Sequence, residues 1–141
     1  MDDADALARQ VAETMLARAG AGPAWGVVIE DVRLGYARVR MRIRADMLNG
    51  HRTVHGGMVF ALADTAFGYA TNGRNEITVA QSANINFLAP AHEGEDLIAE
   101  AHERSRAGRS GVSHVTVRAG DGRVIAEFTG LSRTTGGPII P

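Results

Sequence analysis

The chain has 141 residues, 45% of them hydrophobic and 22% charged, with a formal net charge of −1 at pH 7 and no cysteine. That length suits one compact domain around a single core, with the balance of an ordinary soluble globular protein. Near-neutral charge excludes the basic footprint of a nucleic-acid or anionic-membrane binder, and the lack of cysteine excludes disulfides, thiolate nucleophiles and cysteine zinc sites.

The start, Met1-Asp2-Asp3-Ala4-Asp5, is acidic and lacks the basic region of a signal peptide. No apolar run approaches the ~18 residues of a membrane span, so a cytoplasmic protein without a membrane partner is expected. Asp2 to Ala19 reads as a helix: acids come early, alanine is abundant, and Leu7, Val11 and Met15 recur every four residues. Gly20, Gly22 and Pro23 end it. Trp25 to Glu30 reads as a strand, followed by a turn at Leu34-Gly35. In the next strand Ala37, Val39, Met41 and Ile43 alternate with Arg38, Arg40, Arg42 and Arg44, which predicts one buried face and one solvated row of arginines.

Asp46 to His55 is polar and turn-like. Gly56 to Thr71, GGMVFALADTAFGYAT, then has the apolarity of a helix buried nearly all round, with Asp64 as its one charged residue. Asn72, Gly73 and Asn75 stop it. Four strands follow, at Ile77 to Leu88, Leu97 to Arg104, Val112 to Arg118 and Val124 to Leu131; Gly120-Asp121-Gly122 joins the last two as a hairpin. Thr134 to Pro141 reads as a loose tail. The order of elements, with no repeat or linker, predicts one α+β domain over 1–141 in which an antiparallel sheet curls around the apolar helix.

Asp64 is the anomaly. An ionised carboxylate among apolar neighbours is costly unless paired, so it is either a structural salt bridge, for instance to an arginine at a subunit contact, or a functional acid. The helix start favours the second reading. Gly56 and Gly57 stand where free N–H groups and the positive end of the helix dipole favour an anion, which suits an oxyanion site for a thioester carbonyl; tight packing at a loop-to-helix corner is the plain alternative. Gly56 and Asp64 are separated by ~12 Å along a helix, whereas reacting groups must lie within ~3–3.5 Å. If both act on one substrate, two chains must share the site, and an obligate dimer is expected.

The run Met47-Leu48-Asn49-Gly50-His51, His55-Gly56-Gly57 and Leu62-Ala63-Asp64-Thr65-Ala66-Phe67 resembles the phenylacetic acid degradation thioesterases of the hotdog superfamily. The likeness continues through Ser82-Ala83-Asn84-Ile85-Asn86-Phe87-Leu88 and the hairpin near residue 110, covering most of the chain. This resemblance implies a hotdog fold and a metal-free acyl-CoA hydrolase, needing no cofactor beyond the coenzyme A of its substrate and assembling as a homodimer or a homotetramer of paired dimers. It implies Asp64 as nucleophile or general base and Gly56 as oxyanion donor. Asn49 and His55 would position the carbonyl from the opposite chain, and Ser82 would help hold the attacking water.

Phosphate binding is expected from Arg104-Ser105-Arg106-Ala107-Gly108-Arg109-Ser110-Gly111, where three arginines sit among small residues; a solvated turn is the alternative. The family's coenzyme loop falls at Gly108, Arg109, Ser110, Gly111 and Val112, with Asn84 a further substrate contact. His51 and His55 have metal-like spacing, but Arg52 stands where a zinc protease helix needs glutamate. No Gly-x-Ser-x-Gly elbow accompanies His-Gly-Gly. His92, His102 and His114 read as surface or sheet residues, and Phe60, Phe67 and Tyr69 as core that could shape an aryl pocket. Phenylacetyl-CoA or its hydroxylated relatives is the leading substrate class, with other acyl-CoA esters next. A hotdog dehydratase would need a different Asp/His helix pattern, and a non-catalytic acyl-CoA-binding domain would have no use for the acid.

Overall fold

A computed structural model describes residues 2–141. Helix α1 (Asp3–Arg18) begins at Asp2, whose carboxylate accepts a hydrogen bond from the Asp5 N–H at 2.8 Å. A one-turn helix, α2 (Ala21–Ala24), follows where only a break is expected. Pro23 is tolerated there because a first-turn residue has no intrahelical N–H bond to lose. Strand β1 (Val28–Arg33) starts three residues later than predicted and pairs with β2 (Tyr36–Arg42). After a 3₁₀ turn at Ala45–Met47 and a loop closed by a Leu48–Val54 bridge comes α3 (Gly56–Asn72). Strands β3 (Thr78–Phe87), β4 (Asp96–Ala107), β5 (Ser110–Ala119) and β6 (Val124–Thr134) complete the chain.

The six strands form one sheet in the order β1-β2-β4-β5-β6-β3, antiparallel at every junction. It curls around α3, as the pattern of elements predicts. The inward residues of β2, namely Ala37, Val39 and Met41, join Leu62, Phe67, Leu97 and Phe128 in the core. Phe67 and Phe128 pack with ring centroids 5.6 Å apart, a geometry worth about 1 kcal/mol beyond its buried area. Gly130 makes room for this packing, since a Cβ there would lie 2.7 Å from the Phe67 ring. Asn72 fastens the end of α3 to β3: its Oδ1 accepts from the Thr78 N–H, and its Nδ2 donates to the Thr78 and Gly68 carbonyls.

Three expectations need adjustment. The arginine row faces outward but is braced by acids, Arg38 and Arg40 by Glu30, Arg42 by Asp96 and Arg44 by Asp46; exposed pairs of this kind contribute about 0–1 kcal/mol each. Helix α3 is not covered all round. Its stripe Gly57, Phe60, Ala61, Asp64, Thr65 and Gly68 is open or half-open, and these spacings of three and four mark one helical face. The tail is tied rather than loose. Asn75 Oδ1 accepts from the N–H groups of Ile139 and Ile140, Asn75 Nδ2 donates to the Ile140 carbonyl, and Arg18 donates to the Ile139 carbonyl. Ile140 is buried as a result, an anchor that no turn motif in the tail announces.

Candidate active site

The residues expected at the site are spread over one chain: Asn49 and Gly56 line one cleft, Asp64 a second, and Ser82, Asn84 and Val112 a third, while His55 and Gly108 to Gly111 line none of the three. The first, about 440 Å³, opens at the amino end of α3 between Asn49, Thr53, Gly56, Phe87, Pro90 and Ile125. His55 caps the helix: its backbone is extended, and its Nδ1 accepts a hydrogen bond from the Gly57 N–H at 2.8 Å. An accepting Nδ1 carries no proton, so the neutral ring keeps its proton on Nε2, its remaining donor. The N–H groups of Met58 and Val59 donate to the His55 carbonyl. Gly56 alone among the first four helical N–H groups has no partner among the described residues. The tip of the Phe87 ring faces it, and a Cβ on Gly56 would lie 3.1 Å from Phe87 Cζ.

Asn49 shapes the preceding loop. Its Oδ1 accepts from the His51 N–H at 2.8 Å and the Thr53 N–H at 3.3 Å, and its Nδ2 donates to Thr53 Oγ1 at 3.1 Å. The second Nδ2–H remains free to reach into the cleft. His51 is exposed beyond this turn.

Asp64 lines a different cleft, about 220 Å³, formed by α3 against α1 and α2. Burial alone, with no neighbouring charge or hydrogen bond, pushes its carboxyl above the ordinary carboxylate range. Within the described residues of one chain Asp64 makes no salt bridge, so the structural alternative is narrowed to an arginine at a subunit contact. Ser82, Asn84 and Val112 line a third cleft of about 240 Å³ beside β6; within one chain Ser82 does not share a cleft with Asp64.

The β4–β5 turn is tighter than expected. Only Gly108 and Arg109 lie between the strands, and Gly108 takes the left-handed φ of 60° that favours glycine. Ser110, Gly111 and Val112 already belong to β5, and Gly111 is buried, where a Cβ would lie 2.9 Å from Ser132 Oγ. Of the three arginines, Arg106 turns inward to Thr134 Oγ1 at 2.8 Å and to Glu103. Glu103 is itself held by Arg74 at 2.7 Å. Arg104 and Arg109 are exposed and remain available to a phosphate.

Residues 51–126, more than half the chain, match the family model described as Thioesterase superfamily. The acyl-coenzyme A thioesterase PaaI of Escherichia coli (strain K12) is 38% identical over 130 residues, 92% of this chain and 93% of that one. The chain belongs to the thioesterase superfamily. As a homologue of the PaaI-type acyl-CoA thioesterases it is a thioester hydrolase. The structure of the E. coli PaaI protein from the phenylacetic acid degradation operon superposes with a TM-score of 0.95 at 36% identity, covering 96% of this chain and 99% of that one. The fold is therefore the hotdog fold, as the sequence resemblance implies. A mutant of the phenylacetic acid degradation protein PaaI of Thermus thermophilus gives a TM-score of 0.77 at 34% identity over 80% of this chain and 96% of that one. The smu.793 protein of Streptococcus mutans, solved bound to acetyl CoA, shares the fold at 22% identity, with a TM-score of 0.76 over 79% of this chain and 90% of that one.

Two features of this thioesterase's site escape the sequence. Phe87 faces Gly56 from a strand thirty residues later, and Met15, Ala19 and Gly22 wall the Asp64 cleft. Neither carries a motif, since each depends on long-range packing. The unusual density of small residues from Ala17 to Ala24 is the one local hint.

Proposed function

We propose that this thioesterase hydrolyses phenylacetyl-CoA or ring-hydroxylated phenylacetyl-CoA to the free acid and coenzyme A, as a cytoplasmic homodimer with shared active sites. The observation that carries the reading is an unpaired, half-buried carboxylate, Asp64, on the same helix whose first N–H, that of Gly56, is also unpartnered. Asp64, made more basic by burial, takes a proton from water as the oxygen adds to the thioester carbonyl. The N–H of Gly56 stabilises the oxyanion, with Asn49 and His55 Nε2–H positioning the carbonyl. Collapse breaks the C–S bond, and the departing thiolate recovers the proton from Asp64. Ser82 helps hold the water; Asn84 and the hairpin from Gly108 through Arg109, Ser110 and Gly111 to Val112, with Arg104, receive the coenzyme.

Distance and exposure support sharing. Gly56 and Asp64 lie ~12 Å apart along α3, too far for one thioester. The open stripe of α3 and edge strand β3 both lack a cover. Nearly all of β3 is exposed, including Val79 at 49% and Phe87 at 55%. An edge strand of ten residues invites pairing with another strand, and a second copy pairing there would bring one chain's Gly56 towards the other's Asp64. Two such dimers would make the homotetramer.

Thiol release across a panel of acyl-CoA esters tests the substrate class. Phenylacetyl and hydroxyphenylacetyl esters are expected to give the highest kcat/KM; a uniform rate over aliphatic chains would identify a broad acyl-CoA thioesterase instead. Subunit mixing tests the shared site. Inactive Asp64→Ala and Asn49→Ala chains, randomly reassorted, should regain about a quarter of wild-type activity, because half the dimers then hold one intact site of two. Verified heterodimers without activity would refute sharing.

A further inference from the structure

The cleft that holds Asp64 presents a second polar group with no hydrogen-bond partner among the described residues. Tyr69 is 5% exposed, lies on α3 among core residues and lines this cleft. Its hydroxyl makes no hydrogen bond among the described residues and lies 4.0 Å from where a Cβ on Gly22 would stand. The contrast with Tyr36, whose hydroxyl donates to Glu100 Oε2, is direct. The ring is buried while its hydroxyl opens on the cleft without a partner among the described residues, so it is positioned to meet whatever enters.

The walls limit what can enter. Met15, Ala19 and Gly22 form one side, and Gly68, Tyr69 and Asp64 the other. These are mostly small residues bounding about 220 Å³, against the roughly 150 Å³ of an apolar cavity that holds benzene. A ring with a short linker and one substituent fits such a space, and Asp64 marks the end where the thioester carbonyl belongs.

We propose that the acyl group of the substrate occupies this cleft between α3 and the α1–α2 segment, and that the Tyr69 hydroxyl binds a polar substituent on that group. Tyr69 is then a specificity-determining residue, and the assignment rests on Asp64 being the catalytic acid. Burial pushes the Tyr69 phenol up to about 12, so it stays neutral near pH 7 and can both donate to and accept from a ring hydroxyl.

The test compares phenylacetyl-CoA with its 3- and 4-hydroxy derivatives. In Tyr69→Phe, the ratio of kcat/KM for the better hydroxylated ester over the unsubstituted ester should fall about tenfold, the loss of one neutral hydrogen bond. The same ratio is read without chemistry as dissociation constants measured on Asp64→Asn and on Asp64→Asn/Tyr69→Phe. Ala21 also lines the cleft, and Ala21→Leu, which narrows it while leaving the Tyr69 hydroxyl in place, should lower kcat/KM for aryl esters more than for acetyl-CoA. An unchanged ratio in Tyr69→Phe, or a wild-type enzyme that binds only aliphatic esters, overturns the proposal. Wild-type turnover by Asp64→Asn would overturn the reading of Asp64 instead, while the binding ratio would still report on the cleft.

Discussion

Replacing Asp64 by asparagine should reduce kcat roughly 10³-fold in a thiol-release assay while making the protein more stable. The first effect is the usual range for removing a general base. The second follows from the carboxylate's surroundings. Burial raises the Asp64 pKa and none of the described residues compensates the charge, so the folded state holds this proton more tightly than the unfolded state does. The destabilising effect of the ionised group is therefore present in full above its folded pKa. It fades as pH falls and is gone below the unfolded value near ~3.9. Asparagine, similar in shape and uncharged, removes it, and a higher Tm is expected near pH 7. The wild-type rate should also fall on acidification through a pKa above the ordinary carboxylate range. Loss of activity accompanied by a lower Tm would point to a structural role for Asp64.

Gly56→Pro should lower kcat by about 10²–10³-fold with the helix retained, the cost of losing one oxyanion donor. Proline is well suited to the first position of a helix, where its missing N–H has no intrahelical partner. It also demands an extended residue before it, and His55 already has φ −64° and ψ 134°. The substitution thus removes the one N–H in the first turn that nothing in the chain engages. Gly56→Ala is the control: it keeps the N–H and adds a Cβ 3.1 Å from the Phe87 ring, which an exposed side chain can yield to. Circular dichroism checks the fold. Equal losses in the two variants would assign the effect to crowding by Phe87 rather than to the missing donor.

Much of this architecture is legible from local periodicity. The alternation of Val39 and Met41 with arginines fixes the buried face of β2, and the apolar run broken at Asn72 bounds α3. Gly120-Asp121-Gly122 marks its hairpin, with Gly122 at a φ of 94°. The candidate site is legible as residue types but not as geometry. Asp64 stands out because charge is rare in such a helix, yet that no arginine among the described residues of its own chain reaches it could be learned only from packing. Ile77 to Leu88 reads as a strand from its residues, but its place at the sheet edge depends on pairing with β6, whose partner residues run from Phe87–Ala126 to Thr78–Thr134, distant in sequence. The anchored tail depends likewise on Asn75 and Arg18, distant in sequence from Ile139.

That anchorage links the two chain ends to the Asp64 cleft. Arg18 closes α1 by bonding the Ile139 carbonyl, and Met15 and Ala19 on either side of it wall the Asp64 cleft. The stretch matching the superfamily, residues 51–126, includes the acid and the amide donor but neither α1 nor the tail. Met15 and Ala19 lie outside that stretch and Tyr69 within it, so exchanging the leading segment together with its terminal strap would rebuild one wall of the Asp64 cleft and leave the other in place.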